Sequence, residues 1–202
     1  MKNKNEISAY GLRLLLPEHE AIRTLEKEYI PANYGHQVWD ASWLLIDYLS
    51  QTTGLSGKNI MDLGCGWGLP GIYCAKTWSA FVTGVDVDDR VQPYLNLMAA
   101  INHVQVDFLN LGFHQIEGDL LNRTDIIIGS DICFCESLMN PLYDLIKRVE
   151  ASSVKQIIMS DPGRWTFDEL TGIFTRNGRA EVIDWVINMP SDITGKIFKV
   201  KV

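Results

Sequence analysis

The stretch Ile60-Met61-Asp62-Leu63-Gly64-Cys65-Gly66-Trp67-Gly68-Leu69-Pro70-Gly71 constrains the fold more than any other part of the chain. A short apolar strand runs into a carboxylate, then into glycines at alternate positions, then into a helix start. Backbone without Cβ atoms lets a ligand approach the main chain. The next apolar run, Phe81-Val82-Thr83-Gly84-Val85, ends in Asp86-Val87. A carboxylate about 20 residues beyond a glycine-rich strand-to-helix turn is placed to accept hydrogen bonds from ribose hydroxyls.

The rest of the chain alternates in the same way. Strand-like runs fall at 59–63, 81–85, 104–109, 125–129 and 155–160, with helical segments between most of them. That alternation predicts an α/β fold, a mostly parallel sheet with helices on both faces. Residues 6–36 read as an N-terminal cover with a short polar helix near Glu18–Tyr29, and 37–202 as the core of one domain. Trp39, Trp43, Leu44, Ile46 and Leu49 recur with helical spacing across Val38–Thr52. Asn140-Pro141 supplies an N-cap and a proline at the first helical position. Thr166-Phe167-Asp168-Glu169 reads as a capping box, and Asn177-Gly178 as that helix's stop. Glu181–Ile187 and Lys196–Val202 are two consecutive strands joined by Asn188–Gly195, so the sheet ends in an antiparallel hairpin.

Two ligand classes compete for the turn. Gly66-Trp67-Gly68-Leu69-Pro70-Gly71 formally matches the dinucleotide fingerprint, but counted from Gly64 at the strand end its third position is Leu69. A pyrophosphate would also face the like charge of Asp62 at the mouth of the turn. S-adenosylmethionine carries an ammonium and a sulfonium and no phosphate, so Asp62 with Gly64, Gly66 and Gly68 suits it better. A tight packing turn with no ligand is the bland alternative.

On these residues the chain from Trp39 to Val202 resembles the class I S-adenosylmethionine-dependent methyltransferases. The resemblance implies a Rossmann-like seven-stranded sheet with a reversed terminal hairpin. It also implies that Asp62-x-Gly64-x-Gly66-x-Gly68 wraps the methionine portion of the cofactor, with Cys65 in the turn, and that Asp86 and Val87 hold the ribose side. Val38-Trp39-Asp40-Ala41-Ser42-Trp43, Gly129-Ser130-Asp131-Ile132-Cys133-Phe134 and Ser160-Asp161-Pro162-Gly163-Arg164 are similar to a protein-lysine methyltransferase branch. That branch includes the enzymes acting on the electron-transfer flavoprotein β-subunit. It carries Asp-x-x-Tyr where this chain has Asp131-Ile132-Cys133-Phe134, and Phe134 cannot make a tyrosine's hydrogen bond.

Asp131 and Phe134 are therefore the candidate catalytic residues, since Ser130-Asp131 leave the strand 125–129 at its ligand-binding end. Cofactor contacts are expected from Trp39, Leu111, Gly112 and Ser130 as well as the turn. Asn110-Leu111-Gly112-Phe113 is preferred to Glu117-Gly118-Asp119 as the adenine wall. Trp39 and Trp43 are open to either core packing or covering the cofactor. Asp161-Pro162-Gly163-Arg164 has equal claims as a turn and as a substrate rim.

The acceptor implied is a protein lysine, with a small molecule or a non-catalytic binding module as alternatives. The formal net charge of −7 disfavours non-specific nucleic-acid binding. No Asn/Asp-Pro-Pro-Tyr motif for an extruded base is present. Leu14-Leu15-Leu16 is too short for a signal peptide or a membrane span. Cys65, Cys74, Cys133 and Cys135 lack metal-site spacing and read as reduced thiols of a cytoplasmic protein.

Overall fold

A computed structural model of the chain describes residues 4–176, 178 and 180–202. The elements run β1 (Glu6–Ala9), β2 (Leu12–Leu15), α1 (Glu20–Glu26), α2 (Asp40–Ser50), β3 (Asn59–Leu63), α3 (Leu69–Trp78), β4 (Phe81–Asp86), α4 (Gln92–Ile101) and β5 (Asp107–Asn110). They continue α5 (Gly118–Asn122), β6 (Ile126–Ser130), α6 (Met139–Val149), β7 (Gln156–Asp161), α7 (Trp165–Thr175), β8 (Ala180–Ile187) and β9 (Ile193–Lys201).

Seven strands form one sheet in the order β5-β4-β3-β6-β7-β9-β8. The first five are parallel, and β9 runs antiparallel to both β7 and β8. Side chains alternate between the two faces, which explains why whole strands are apolar. Ile60, Ile126, Ile128 and Ile158 pack into one layer with Leu44, Ile72 and Leu95. Met61, Ile127, Ile157 and Met159 enter the opposite layer with Leu142, Ile146 and Phe167. The α/β sheet with helices on both faces and the reversed terminal strand pair is the architecture the alternation predicts.

Several boundaries differ, each for a local reason. The strand expected from residue 104 begins at Asp107, because α4 closes first. His103 is left-handed at φ 61° and the Val104 N–H returns to Ala99 O. Helix α6 starts before Asn140, at Met139, so Pro141 is the third residue, where no N–H is needed. Thr166 does not cap α7. Its Oγ1 donates to Cys133 O, while Asp161 Oδ1 accepts from the N–H groups of Gly163 and Arg164, at 2.8 and 2.6 Å. Beyond α7, Gly178 is left-handed at φ 68°, and its N–H reaches Thr175 O; Asn177 lies outside the described residues.

β9 begins at Ile193, earlier than expected, with Gly195 inside the ladder opposite Trp185. A Cβ on Gly195 would press on Leu44 and on the Asp161 carbonyl, so this glycine marks a close approach and not a loop. The N-terminal cover contains an unpredicted hairpin, β1-β2, turned by Tyr10 and Gly11 with φ 50° and 75°. Asn102 at the end of α4 clamps it, accepting from the Arg13 N–H and donating to Arg13 O.

Candidate functional site

From β3 the chain winds to β4 and β5 on one side, and to β6 and β7 on the other. The reversal between β3 and β6 opens a crevice beyond their carboxyl ends, where an α/β sheet takes its ligand. A cavity of about 580 Å³ lies there. Its wall brings together every sequence-predicted site residue except Asp62: Trp39, Gly64, Cys65, Gly66, Gly68, Asp86, Val87, Leu111, Gly112, Ser130, Asp131 and Phe134.

The glycines of the turn differ in what they do. A Cβ on Gly64 would stand 2.6 Å from Ile132 Cγ2, so that position serves packing. Gly66, at φ 49°, has nothing within 4 Å in the Cβ direction, which leaves open backbone on the cavity wall. The turn is held from β4. Asp86 Oδ2 accepts from the Gly66 N–H and Oδ1 from the Asp88 N–H, both at 3.0 Å. Each oxygen keeps a second lone pair for a ligand hydroxyl. Burial pushes the Asp86 carboxyl up, against the pull of the Asp88 and Gly66 amides.

Asp62 is not at the mouth of the turn. It is buried beneath it, with Oδ2 accepting from the Gly71 N–H in the first turn of α3 at 3.0 Å. Burial pushes its carboxyl up to about 8, which removes the like-charge argument against a pyrophosphate. Its work is to join β3 to α3 and so shape the turn.

A carboxyl that holds its proton to about 8 when folded, and releases it near about 3.9 when unfolded, costs stability as pH rises through that window. The Asp62→Asn variant keeps the acceptor for Gly71 and removes the titration. It is expected to lose less stability than the parent between about pH 5 and pH 8, with parent slopes approaching about 1.4 kcal/mol per pH unit. Denaturant midpoints across that range test this; parallel curves would show that Asp62 is ionised in the fold.

The N-terminal segment closes one side of the cavity. Trp67, inside the glycine turn and stacked on Tyr94 at 5.1 Å, donates its Nε1–H to Gly35 O at 2.9 Å. Tyr94 Oη donates to Tyr29 O, and Asp88 Oδ2 accepts from the Ala32 N–H. These bonds bring Asn33, Tyr34 and Gly35 onto the wall. Asn33 and Tyr34 are both left-handed, at φ 48° and 67°. The two tryptophans of the leading helix separate. Trp39 lines the cavity and donates to Tyr34 O, whereas Trp43 is buried and stacks on Tyr10.

Across the cavity, the end of β6 carries Ser130, whose Oγ lies 3.0 Å from Ser42 Oγ on α2. Asp131 follows at φ 58°, a left-handed conformation costly for a side-chain-bearing residue. Its N–H is held by Ser160 O at 2.9 Å and its Oδ1 pairs with the Arg164 guanidinium. Phe134 meets Tyr34 edge to face at 5.3 Å, so the two walls touch through aromatic rings. Leu111, Gly112 and Phe113 line the far side, while Glu117, Gly118 and Asp119 do not.

This donor set fits an adenosyl group. Asp86 offers acceptors for the ribose, Gly66 open main chain, and Val87, Leu111 and Phe113 apolar surface for a base. Among the described residues Arg164 is the one Lys or Arg side chain on the wall, and it is paired with a carboxylate rather than aimed at a phosphate. Among the described residues no group of three His, Cys, Asp or Glu is arranged to hold a metal ion. Tyr34 was legible only as an aromatic in the turn-rich run Pro31-Ala32-Asn33-Tyr34-Gly35; nothing local points it at Phe134. No helix among the described residues is long and apolar enough to cross a membrane.

Comparison with known proteins agrees with this geometry. The histidine protein methyltransferase 1 homolog of Dictyostelium discoideum is 31% identical over 166 residues, 74% of this chain and 53% of that protein. The electron transfer flavoprotein beta subunit lysine methyltransferase of Danio rerio is 24% identical over 140 residues, 69% of this chain and 54% of that one. The chain spans about half the length of these curated relatives. The Pyrococcus abyssi tRNA (uracil-54, C5)-methyltransferase, solved with S-adenosyl-L-homocysteine, shares the fold, with a TM-score of 0.61 at 18% identity over 98% of this chain and 44% of that one. A family model described as lysine methyltransferase matches residues 19–169, from the start of α1 into α7. The chain belongs to the lysine methyltransferase family.

Proposed function

We propose that this protein is an S-adenosylmethionine-dependent methyltransferase whose acceptor is a protein lysine side chain. The observation that carries the reading is the meeting, in one cavity, of the Gly66–Asp86 cradle with Asp131 and the Phe134–Tyr34 wall. Family membership and the protein acceptors in the relatives' names support it.

Asp86 would hold the ribose hydroxyls, and the backbone around Gly66 the methionine end. When bound, the cofactor supplies an electrophilic methyl group on a sulfonium. The chain's part is to present an unprotonated amine. A lysine with pKa near 10.4 needs roughly 4–5 kcal/mol to lose its proton at pH 7. The Phe134 and Tyr34 rings exclude water and disfavour the ammonium form. Asp131 accepts a hydrogen bond from the amine and orients its lone pair, and the proton leaves towards solvent. Phe134 supplies only a wall, so orientation falls to Asp131. We further infer that residues 1–202 act as one domain and work in the cytoplasm; four unpaired cysteines support that setting.

Incubation of a cell lysate with methyl-labelled cofactor tests the reading. Label is expected in a protein band and, after hydrolysis, in methyllysine. Label in methylhistidine or in a small-molecule fraction would replace lysine with that acceptor. No transfer, with cofactor binding intact, would leave a binding module.

A further inference from the structure

Arg164 has two carboxylates within reach and uses them unequally. Its Nη1 pairs with Asp131 Oδ1 and stands 3.6 Å from Asp161 Oδ2. The first carboxylate lies on the cavity wall and the second behind it. Asp161 is wholly buried, and its Oδ2 has no hydrogen-bond partner among the described residues. Its other oxygen is committed to the Gly163 and Arg164 amides. Lys196 stands opposite Asp161 in the β7–β9 register, but its Nζ goes to Asp168 Oδ1 at 2.6 Å. A buried acceptor left unpaired is unfavourable, and burial pushes this carboxyl up, against the pull of the Arg164 and Gly163 amides.

While the guanidinium holds Asp131 Oδ1, its positive charge offsets the carboxylate and repels an acceptor arriving as an ammonium at the same group. We propose that Arg164 is a positioning residue with two seats: it holds Asp131 until an acceptor amine enters, then moves to Asp161 Oδ2 and leaves Asp131 to the amine. The displacement is small. Closing 3.6 Å to an ordinary hydrogen bond takes about 0.7 Å, within the reach of a side chain that is one-third exposed. The empty seat offsets the lost pair, since the arriving guanidinium satisfies the orphaned oxygen. The same exchange makes the site selective. An amine that can take over a carboxylate displaces Arg164, whereas a neutral apolar molecule cannot. The inference rests on the lysine reading of the site.

The test is binding of Nα-acetyl-lysine methylamide to the protein saturated with S-adenosylhomocysteine, followed by NMR. Asp161→Asn keeps the Oδ1 cap and removes only the second seat. It is expected to weaken the probe roughly tenfold. In an Arg164→Met background nothing has to be displaced, so adding Asp161→Asn there should leave the affinity unchanged. Equal losses in both backgrounds, or none in either, would overturn the exchange. A second readout needs no variant: the Arg164 Nε–H resonance of the parent should shift on saturation, and an unmoved signal also overturns it. If parent and variants alike bind cofactor but no probe, the lysine reading itself fails. Parent binding without any Asp161 effect leaves that reading standing and removes only the exchange.

Discussion

Replacing Asp86 with alanine is expected to weaken S-adenosylhomocysteine binding by roughly a hundredfold or more. The carboxylate sits at the end of β4 with one lone pair of each oxygen spent on the turn, on the Gly66 and Asp88 amides. The residue lies on the cavity wall, and the remaining pairs are left for a ligand. Hydrogen bonds from hydroxyls to a charged acceptor contribute about 1.5–3 kcal/mol each, so two ribose contacts amount to about 3–6 kcal/mol. About 2.7 kcal/mol is already a hundredfold in affinity. Alanine also releases the Gly66 N–H and loosens the backbone that the cofactor must approach. Asparagine retains an acceptor for one of these groups, so Asp86→Asn should fall between parent and alanine. Calorimetry checks all three, with NAD as the control ligand. Affinity unchanged in Asp86→Ala would show that the ribose lies elsewhere. Tight NAD binding with none for S-adenosylhomocysteine would remove the cofactor assignment.

What the sequence reveals here divides by range. The path from β3 through the turn to Asp86 is local: apolar runs, glycines and a carboxylate within one βαβ unit, where strand and turn chemistry act over a few residues. The wall of the cavity from Leu111 and Gly112 to Ser130 and Asp131 follows from that, because every parallel strand delivers its carboxyl end to the same edge. Side-chain direction is less legible. Asp62 reads as a ligand residue because it precedes the glycines, yet strand alternation turns it towards α3, and only the Gly71 N–H shows its purpose. Thr166 matches a capping pattern, but α7 already begins at Trp165, behind a turn in which Asp161 holds the Gly163 and Arg164 amides, so Thr166 lies inside the helix and its hydroxyl goes to Cys133 O. The β1-β2 hairpin is short, and its clamp is Asn102, far away in sequence. Tyr34 against Phe134 joins segments far apart in sequence, and Arg164 against Asp131 joins the loops that leave the neighbouring strands β7 and β6; no periodicity encodes either contact.

Asp131→Asn is expected to lower the turnover of methyl transfer by roughly two to three orders of magnitude while leaving cofactor affinity within about twofold. Asparagine is the informative replacement. Asp131 is left-handed, at φ 58°, a conformation asparagine tolerates and alanine resists. Its N–H bond to Ser160 O is a backbone contact that the variant keeps. What disappears is the charge, and the charge has two tasks. It accepts the amine's hydrogen bond and it balances Arg164, whose guanidinium would otherwise face the acceptor site without a counter-ion on the wall. An amide presents a weaker acceptor to the amine and no counter-charge to the arginine. Arg164 then has only Asp161 Oδ2 to turn to, so the variant should also show the Arg164 Nε–H resonance at the position that the parent reaches when saturated with Nα-acetyl-lysine methylamide. Single-turnover rates and calorimetry separate chemistry from cofactor binding. Full turnover in Asp131→Asn would move orientation of the acceptor to another group on the wall, and Tyr34, whose ring meets Phe134 at 5.3 Å, carries a hydroxyl to test next.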